Sequence, residues 1–177
     1  HPKCAGNGSL MRTGPIALAY LGEPDRIADA ARDISDLTHG DASCGDACVL
    51  WCLAMDRAVR QGVFELVTGL EWLPAERRDE WAGLIRRAET EPPTTFTGNG
   101  YVVTALQAAW SAITHTPVPE DEPCRHLADT LVAAVRIGHD TDTVAAIAGA
   151  LLGARWGASA VPLIWKRLLH GWPVHDG

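Results

Sequence analysis

GHDTDTVAAIAGALLGARW, residues 138–156, is the stretch whose reading decides the fold. From Thr143 to Ala154 no residue carries a charge, and most are alanine, glycine or leucine. A segment of that composition and length has no face to offer water, so it is a helix packed closely on other helices. Gly138 and Asp140 mark its start. Asp140 and Asp142 stand two apart, with Thr141 between them and Thr143 after, and both carboxylates cannot rest on a packed face. One reading is a double N-cap that meets the free amides and the positive end of the helix dipole. The other is a site for a hard divalent cation such as magnesium or manganese, which seeks crowded oxygens. Spacing alone leaves both open.

Helical periodicity extends outward from this stretch over nearly the whole chain. Residues 16–20 form a short apolar helix after Gly14-Pro15. Pro24 and Asp25 open a helix with Ile27, Ala30, Ala31, Ile34 and Leu37 on one face, proline and an acid in the first turn being start signals. That helix stops near Thr38-His39-Gly40. Asp41 caps a helix over roughly 42–60, whose inner face holds Ala47, Leu50, Trp51, Ala54, Met55, Ala58 and Val59, and which ends before Gly62. Residues 63–70 and 75–90 read as two further helices, the second amphipathic and heavily charged. A loop at 90–100 contains Pro92-Pro93 and Gly98-Asn99-Gly100. Helices then cover 102–113, 123–137 and roughly 160–170, with a proline- and acid-rich connection at 114–123. Strand-like alternation, hairpin turns and solenoid periods are missing. The expected class is all-α, a compact single-domain helical bundle.

The 177 residues suffice for one sizeable core. The net charge of -7, with acids and bases interspersed, excludes the basic face that a general nucleic-acid grip needs, while leaving room for a nucleotide-sized ligand. No apolar run is long enough to cross a bilayer, and no signal peptide is present. Of the five cysteines, Cys44, Cys48 and Cys52 fall four apart on one helical stripe. They are either small buried hydrophobes or metal-binding neighbours, although thiolate zinc sites usually pair through shorter loop spacings. Free thiols point to a reducing compartment, hence the cytoplasm. Arginine-rich, lysine-poor usage points to a high-GC bacterium. The chain opens on His1-Pro2-Lys3-Cys4 and its first methionine is Met11, so a fragment or a processed chain is expected.

Three other segments carry chemistry. In Gly6-Asn7-Gly8-Ser9-Leu10-Met11-Arg12, two glycines around a polar residue either let backbone amides approach a ligand, as in phosphate loops, or make a plain tight turn. No strand precedes them, so this is not a dinucleotide fingerprint. In Thr38-His39-Gly40-Asp41, the histidine at a helix junction is a cap, a core residue, a ligand contact or a general acid/base. Thr97-Gly98-Asn99-Gly100-Tyr101-Val102-Val103 either presents amides and a tyrosine ring to a ligand ring system or simply begins a helix.

Taken together and in this order, these segments resemble the ADP-ribosylglycohydrolase family, which includes the dinitrogenase-reductase-activating glycohydrolases. The matching stretches are GNGSLMRTGPIALAY at 6–20, LTHGD at 37–41, TGNGYVVTALQAAWSAI at 97–113 and GHDTDTVAAIAGALLGARWGASAVPLIW at 138–165. The resemblance implies an all-α fold with two divalent cations, magnesium or manganese, and hydrolysis of the bond linking ADP-ribose to arginine, serine or another acceptor. It implies that Asp140, Asp142 and Thr143 are metal ligands. Gly6, Asn7, Gly8 and Ser9 are implied to contact the pyrophosphate and distal ribose, His39 to lie near the ADP-ribose, and Gly100 and Tyr101 to lie near the adenosine. Arg12 is expected to hold the loop through buried hydrogen bonds. The implied partner is an ADP-ribosylated protein or small molecule.

The sequence also departs from the family pattern. The family's N-terminal acidic helix and its Thr-Asp-Asp-Thr segment have no counterpart before Gly6, so half of the metal site is missing and no general base can be named. Asp41 is a candidate whose competing role is the N-cap. His139 stands where the family more often has glycine or asparagine, so access beside the metal is expected to differ. Residues 1–177 therefore read as the C-terminal part of one such domain, lacking its N-terminal helices. Three roles follow: a hydrolase completed by a separate N-terminal chain or cut from a longer one, a non-catalytic ADP-ribose or nucleotide binder, or a structural remnant. Bare apolar helix faces would favour a homodimer or a partner chain.

Overall fold

The computed structural model describes residues 5–169 and 171. Among these residues there are nine α-helices and no β-strand: α1 (Gly8–Arg12), α2 (Pro15–Ala19), α3 (Pro24–Asp36), α4 (Ala42–Gln61), α5 (Ala75–Thr90), α6 (Val102–His115), α7 (His126–Val135), α8 (Thr141–Trp156) and α9 (Leu163–Leu168). The all-α expectation holds.

The long helix α4 is the axis. It begins where the Asp41 carboxylate accepts from the Ser43 N–H at 2.8 Å and ends where Gly62 turns left-handed at φ 68°. Between these caps it is buried on nearly every side, including Cys44, Cys48, Cys52 and two aspartates. The thiols thus pack as small hydrophobes, and burial pushes Cys44 up to about 11. Helices α3, α6 and α8 cover α4. Trp51 joins two of them: its indole N–H donates to the Ile147 carbonyl of α8 at 3.0 Å, and its ring meets Trp110 of α6 edge-on.

Several expectations need correction. Residues 63–70 are not an α-helix; a 3₁₀ segment, Val67–Trp72, lies flat across α4 instead. Gly69 allows that approach, since a Cβ there would come within 3.1 Å of Leu50. Leu37 follows the end of α3 and is 76% exposed, while Val59, near the end of α4, is 39% exposed, so neither belongs to the core. The loop at 90–100 contains a 3₁₀ turn, Pro93–Thr95. The helix expected at 123–137 opens with another, Pro123–Arg125. The one expected at 160–170 is a 3₁₀ turn, Ala158–Ala160, followed after Pro162 by α9. Residue 170 and the opening His1–Cys4 lie outside the described residues.

Two buried polar groups on these helices are fully partnered. Asp46 of α4 accepts from Arg32 of α3 at 2.9 Å, from Arg77 of α5, and from the Trp81 indole at 3.1 Å, so one carboxylate ties three helices. His126 of α7 faces the Ile113 and Thr116 carbonyls through Nε2 at 3.2 and 3.1 Å, and its Nδ1 accepts from the Trp156 indole at 3.2 Å. That pattern requires the neutral imidazole with its proton on Nε2. Burial lowers the His126 pKa, with Arg155 adding to the effect and the two carbonyls opposing it.

Removing the buried carboxylate with Asp46→Ala is expected to lower the urea-unfolding free energy by about 3 kcal/mol, the lower end for a broken buried ion pair because both arginines reach water. The His126 contribution is complete above the unfolded value of about 6.5 and is lost as pH falls through the lowered folded value. Urea titrations at neutral and acidic pH should show that loss in the wild type, and a smaller one in His126→Gln.

Candidate functional site

Three loops distant in sequence meet at one end of the bundle. Residues 5–7 pair with 100–102 in an antiparallel bridge between Gly6 and Tyr101, with Asn7 N–H on the Gly100 carbonyl at 3.2 Å and Val102 N–H on the Ala5 carbonyl at 2.9 Å. The third loop, 138–140, leads into α8. Asn7 joins all three: its side-chain amide donates to the Asn99 carbonyl at 2.8 Å and to Asp140 Oδ2 at 2.6 Å.

That second bond bears on the question the sequence left open. Asp140 is the N-cap residue of α8, and its carboxylate faces two ways, toward the Asn7 amide and toward the first turn of the helix at Asp142 and Thr143. The Asn7 amide holds its pKa below the usual carboxylate range, against the opposing effect of burial and with help from the Thr143 and Asp142 side chains and the Thr143 N–H. Asp142 is exposed and Thr143 is buried beside it. These carboxylate and hydroxyl oxygens suit magnesium or manganese chemically. Among the described residues no group of three or more His, Cys, Asp or Glu side chains converges on one point.

His39 packs against the first loop. A Cβ on Gly8 would stand 3.2 Å from His39 Nε2, and one on Gly6 would stand 3.6 Å away, so the glycines admit the imidazole. His39 Nδ1 lies 2.7 Å from the Thr38 hydroxyl, which in turn accepts from Arg12. Arg12 itself is exposed rather than buried, and its guanidinium holds Thr38 and the Ile34 carbonyl rather than the glycine loop. Ser9 is fully buried beside the Cys44 and Cys48 thiols, so its side chain faces the core. Gly100 and Tyr101 lie on the exposed side, Tyr101 as the N-cap residue of α6. Asp41 is committed to capping α4.

Sequence reasoning passed over Asn99 as a functional residue. It is fully buried and bonds the 138–140 loop with both ends of its amide. An asparagine between two glycines looks like any turn; only its two-ended amide hints at more. His139 is exposed and takes φ 62°. Glycine and asparagine, the residues that the resemblance led one to expect there, both adopt positive φ readily.

This all-α architecture aligns with the solved structure of an ADP-ribosylglycohydrolase-related protein complex, at a TM-score of 0.71 and 31% identity, over 94% of this chain and 55% of that one. Residues 1–176 match the family model for ADP-ribosylglycohydrolase, and the chain belongs to that family. Among curated relatives, it is 28% identical to the ADP-ribosylhydrolase ARH3 of Bos taurus, over 97% of this chain and 55% of the relative. It is 25% identical to the ADP-ribosylarginine hydrolase Tri1 of Pseudomonas putida (98% and 44%), and 28% identical to the ADP-ribosyl-[dinitrogen reductase] glycohydrolase of Rhodospirillum rubrum (91% and 49%). The chain spans about half the length of these relatives. Among the described residues no helix is long and apolar enough to cross a membrane.

Substituting Asn7→Ala removes the main cause of the depressed Asp140 pKa, so that pKa should rise toward the ordinary carboxyl value. Carbonyl-carbon NMR titration of Asp140 in both proteins reads the shift. An unchanged or lower value in the variant would contradict the assigned cause.

Proposed function

We propose that this chain serves the removal of ADP-ribose from a modified protein or small molecule, using divalent cations, magnesium or manganese, held in part by Asp140, Asp142 and Thr143. The observation that carries the reading is the Asn7–Asp140 hydrogen bond at 2.6 Å, which binds the glycine loop to the acidic loop and holds the carboxylate between Asn7 and the first turn of α8. A carboxylate kept anionic, partly open and rigidly oriented is what a hard cation needs from a ligand. The chemistry that magnesium or manganese supplies when bound is charge opposite the ribose oxygens and an acidified water.

The chain's own residues do the positioning. Asn7 fixes one oxygen of Asp140, Oδ2. The backbone of Gly6 to Ser9 lies beside that carboxylate and can present amides to a pyrophosphate or ribose. The His39 ring, held by Thr38 and Arg12, borders the same loop through Nε2. Tyr101, 46% exposed and paired through its backbone with Gly6, offers a ring face at the rim for an adenine to stack on. Together these groups orient the substrate before bond cleavage. None of them is assigned as the general base.

Isothermal titration of ADP-ribose into the chain, with and without excess manganese, tests the reading. Binding that needs manganese, and that Asp140→Asn and Asp142→Asn each weaken at least about tenfold, is the expected result. Release of ADP-ribose from an ADP-ribosylated arginine or serine peptide should follow the same pattern. Manganese-independent binding untouched by either substitution would instead make the chain a nucleotide-binding module, and the absence of any binding would contradict the proposal.

A further inference from the structure

Asn99 contributes no oxygen to the candidate cation, yet its side chain is wholly buried at the junction of the three loops. Its Nδ2 donates to the Gly138 carbonyl at 3.1 Å, and its Oδ1 accepts from the Asp140 N–H at 3.0 Å. These two bonds bracket a single residue, His139. Gly138 and His139 both have positive φ, 86° and 62°, and His139 is the one non-glycine residue in that region among those described. The left-handed region is disfavoured for histidine because its Cβ crowds the following carbonyl oxygen, so the surroundings must hold it there. Among the described residues no other side chain hydrogen-bonds the peptide groups on both sides of His139.

We infer that Asn99 is a positioning residue: its planar amide clamps the peptide groups flanking His139, keeps His139 left-handed, and so delivers the Asp140 carboxylate to Asn7 and to the cation. The Asn99 backbone takes part as well, because its carbonyl accepts the other hydrogen of the Asn7 amide at 2.8 Å. One residue thus fixes both the carboxylate and its hydrogen-bond donor. The clamp rests on reading Asp140 and Asp142 as cation ligands for its functional meaning, but its geometry stands apart from any ligand.

A double-mutant cycle between Asn99→Ala and His139→Gly tests the clamp, read by calorimetric titration of manganese into the full chain. The single variant Asn99→Ala is expected to bind manganese at least about tenfold more weakly, the range seen when groups that orient metal ligands are removed. His139→Gly alone should change affinity by no more than about twofold, as for an exposed side chain outside the donor set. The double variant should recover part of the loss, because glycine adopts positive φ without the strain that histidine meets there. A residue that merely filled space would not be rescued in this way. A double variant as weak as Asn99→Ala, or an Asn99→Ala variant that binds like the wild type, overturns the inference. Where Asn99→Ala does not fold, Asn99→Asp, which keeps the acceptor and loses the donor, takes its place in the cycle. A wild type that takes up no manganese would defeat the cation reading alone. The clamp is then judged on metal-free amide NMR spectra, in which the Asn7 side-chain resonances should move in Asn99→Ala and return in the double variant. Failure to return would overturn it.

Discussion

Burying the amide of Asn99 strips it of water, and an unmet donor or acceptor there costs about 1–3 kcal/mol. The structure meets both from the 138–140 loop, and the Asn99 carbonyl takes the Asn7 amide in addition. Asn7 in turn is 8% exposed and spends its remaining hydrogen on Asp140. Two buried asparagines therefore fix three loops relative to one another, and none can shift without leaving a buried polar group unpaired. That constraint turns three glycine-rich turns into one rigid site.

The helices explain why the loops arrive at the same place. α4 is covered on nearly every side, so α3, α6 and α8 must all lie against it. α6 and α8 begin at the end of the bundle where residues 5–7 lie. The starts of these helices, Tyr101 and Asp140, thereby come beside Asn7. Small residues on α8, such as Ala148 and Gly149, permit the close packing, and the Trp51 bond to Ile147 fixes α4 against α8. The acidic loop inherits its rigidity from a helix with no polar face.

Much of this frame was legible in the sequence. Asp41 and Gly62 bound α4 as capping chemistry requires, and the uncharged run after Thr143 is a helix, although only one of its faces is buried. The stretch at 63–70 was not legible, because its 3₁₀ form depends on Gly69 meeting Leu50 across the fold, and periodicity carries no sign of that contact. Leu37 and Val59 misled because a 3.6-residue pattern continues on paper past the point where the helix or its covering ends. For the site, the candidate residues could be named, but not the bonds among them. Asn7 and Asp140 are separated by most of the chain, and spacing could not distinguish a cap from a ligand. The left-handed His139 was visible only as an odd residue in its place; the clamp that holds it is a tertiary fact.

The chain belongs to the ADP-ribosylglycohydrolase family, and the carboxylates of Asp140 and Asp142 stand together at the start of α8, beside the glycine loop. The central proposal is that Asp140, held by Asn7, serves a cation. Anomalous diffraction from crystals of the chain soaked in manganese tests this directly. The account predicts a peak within coordination distance of Asp140 Oδ1 and the Asp142 carboxylate, with the Asn7 bond to Oδ2 intact. A manganese peak elsewhere, with none beside these two carboxylates at saturating metal, would contradict it.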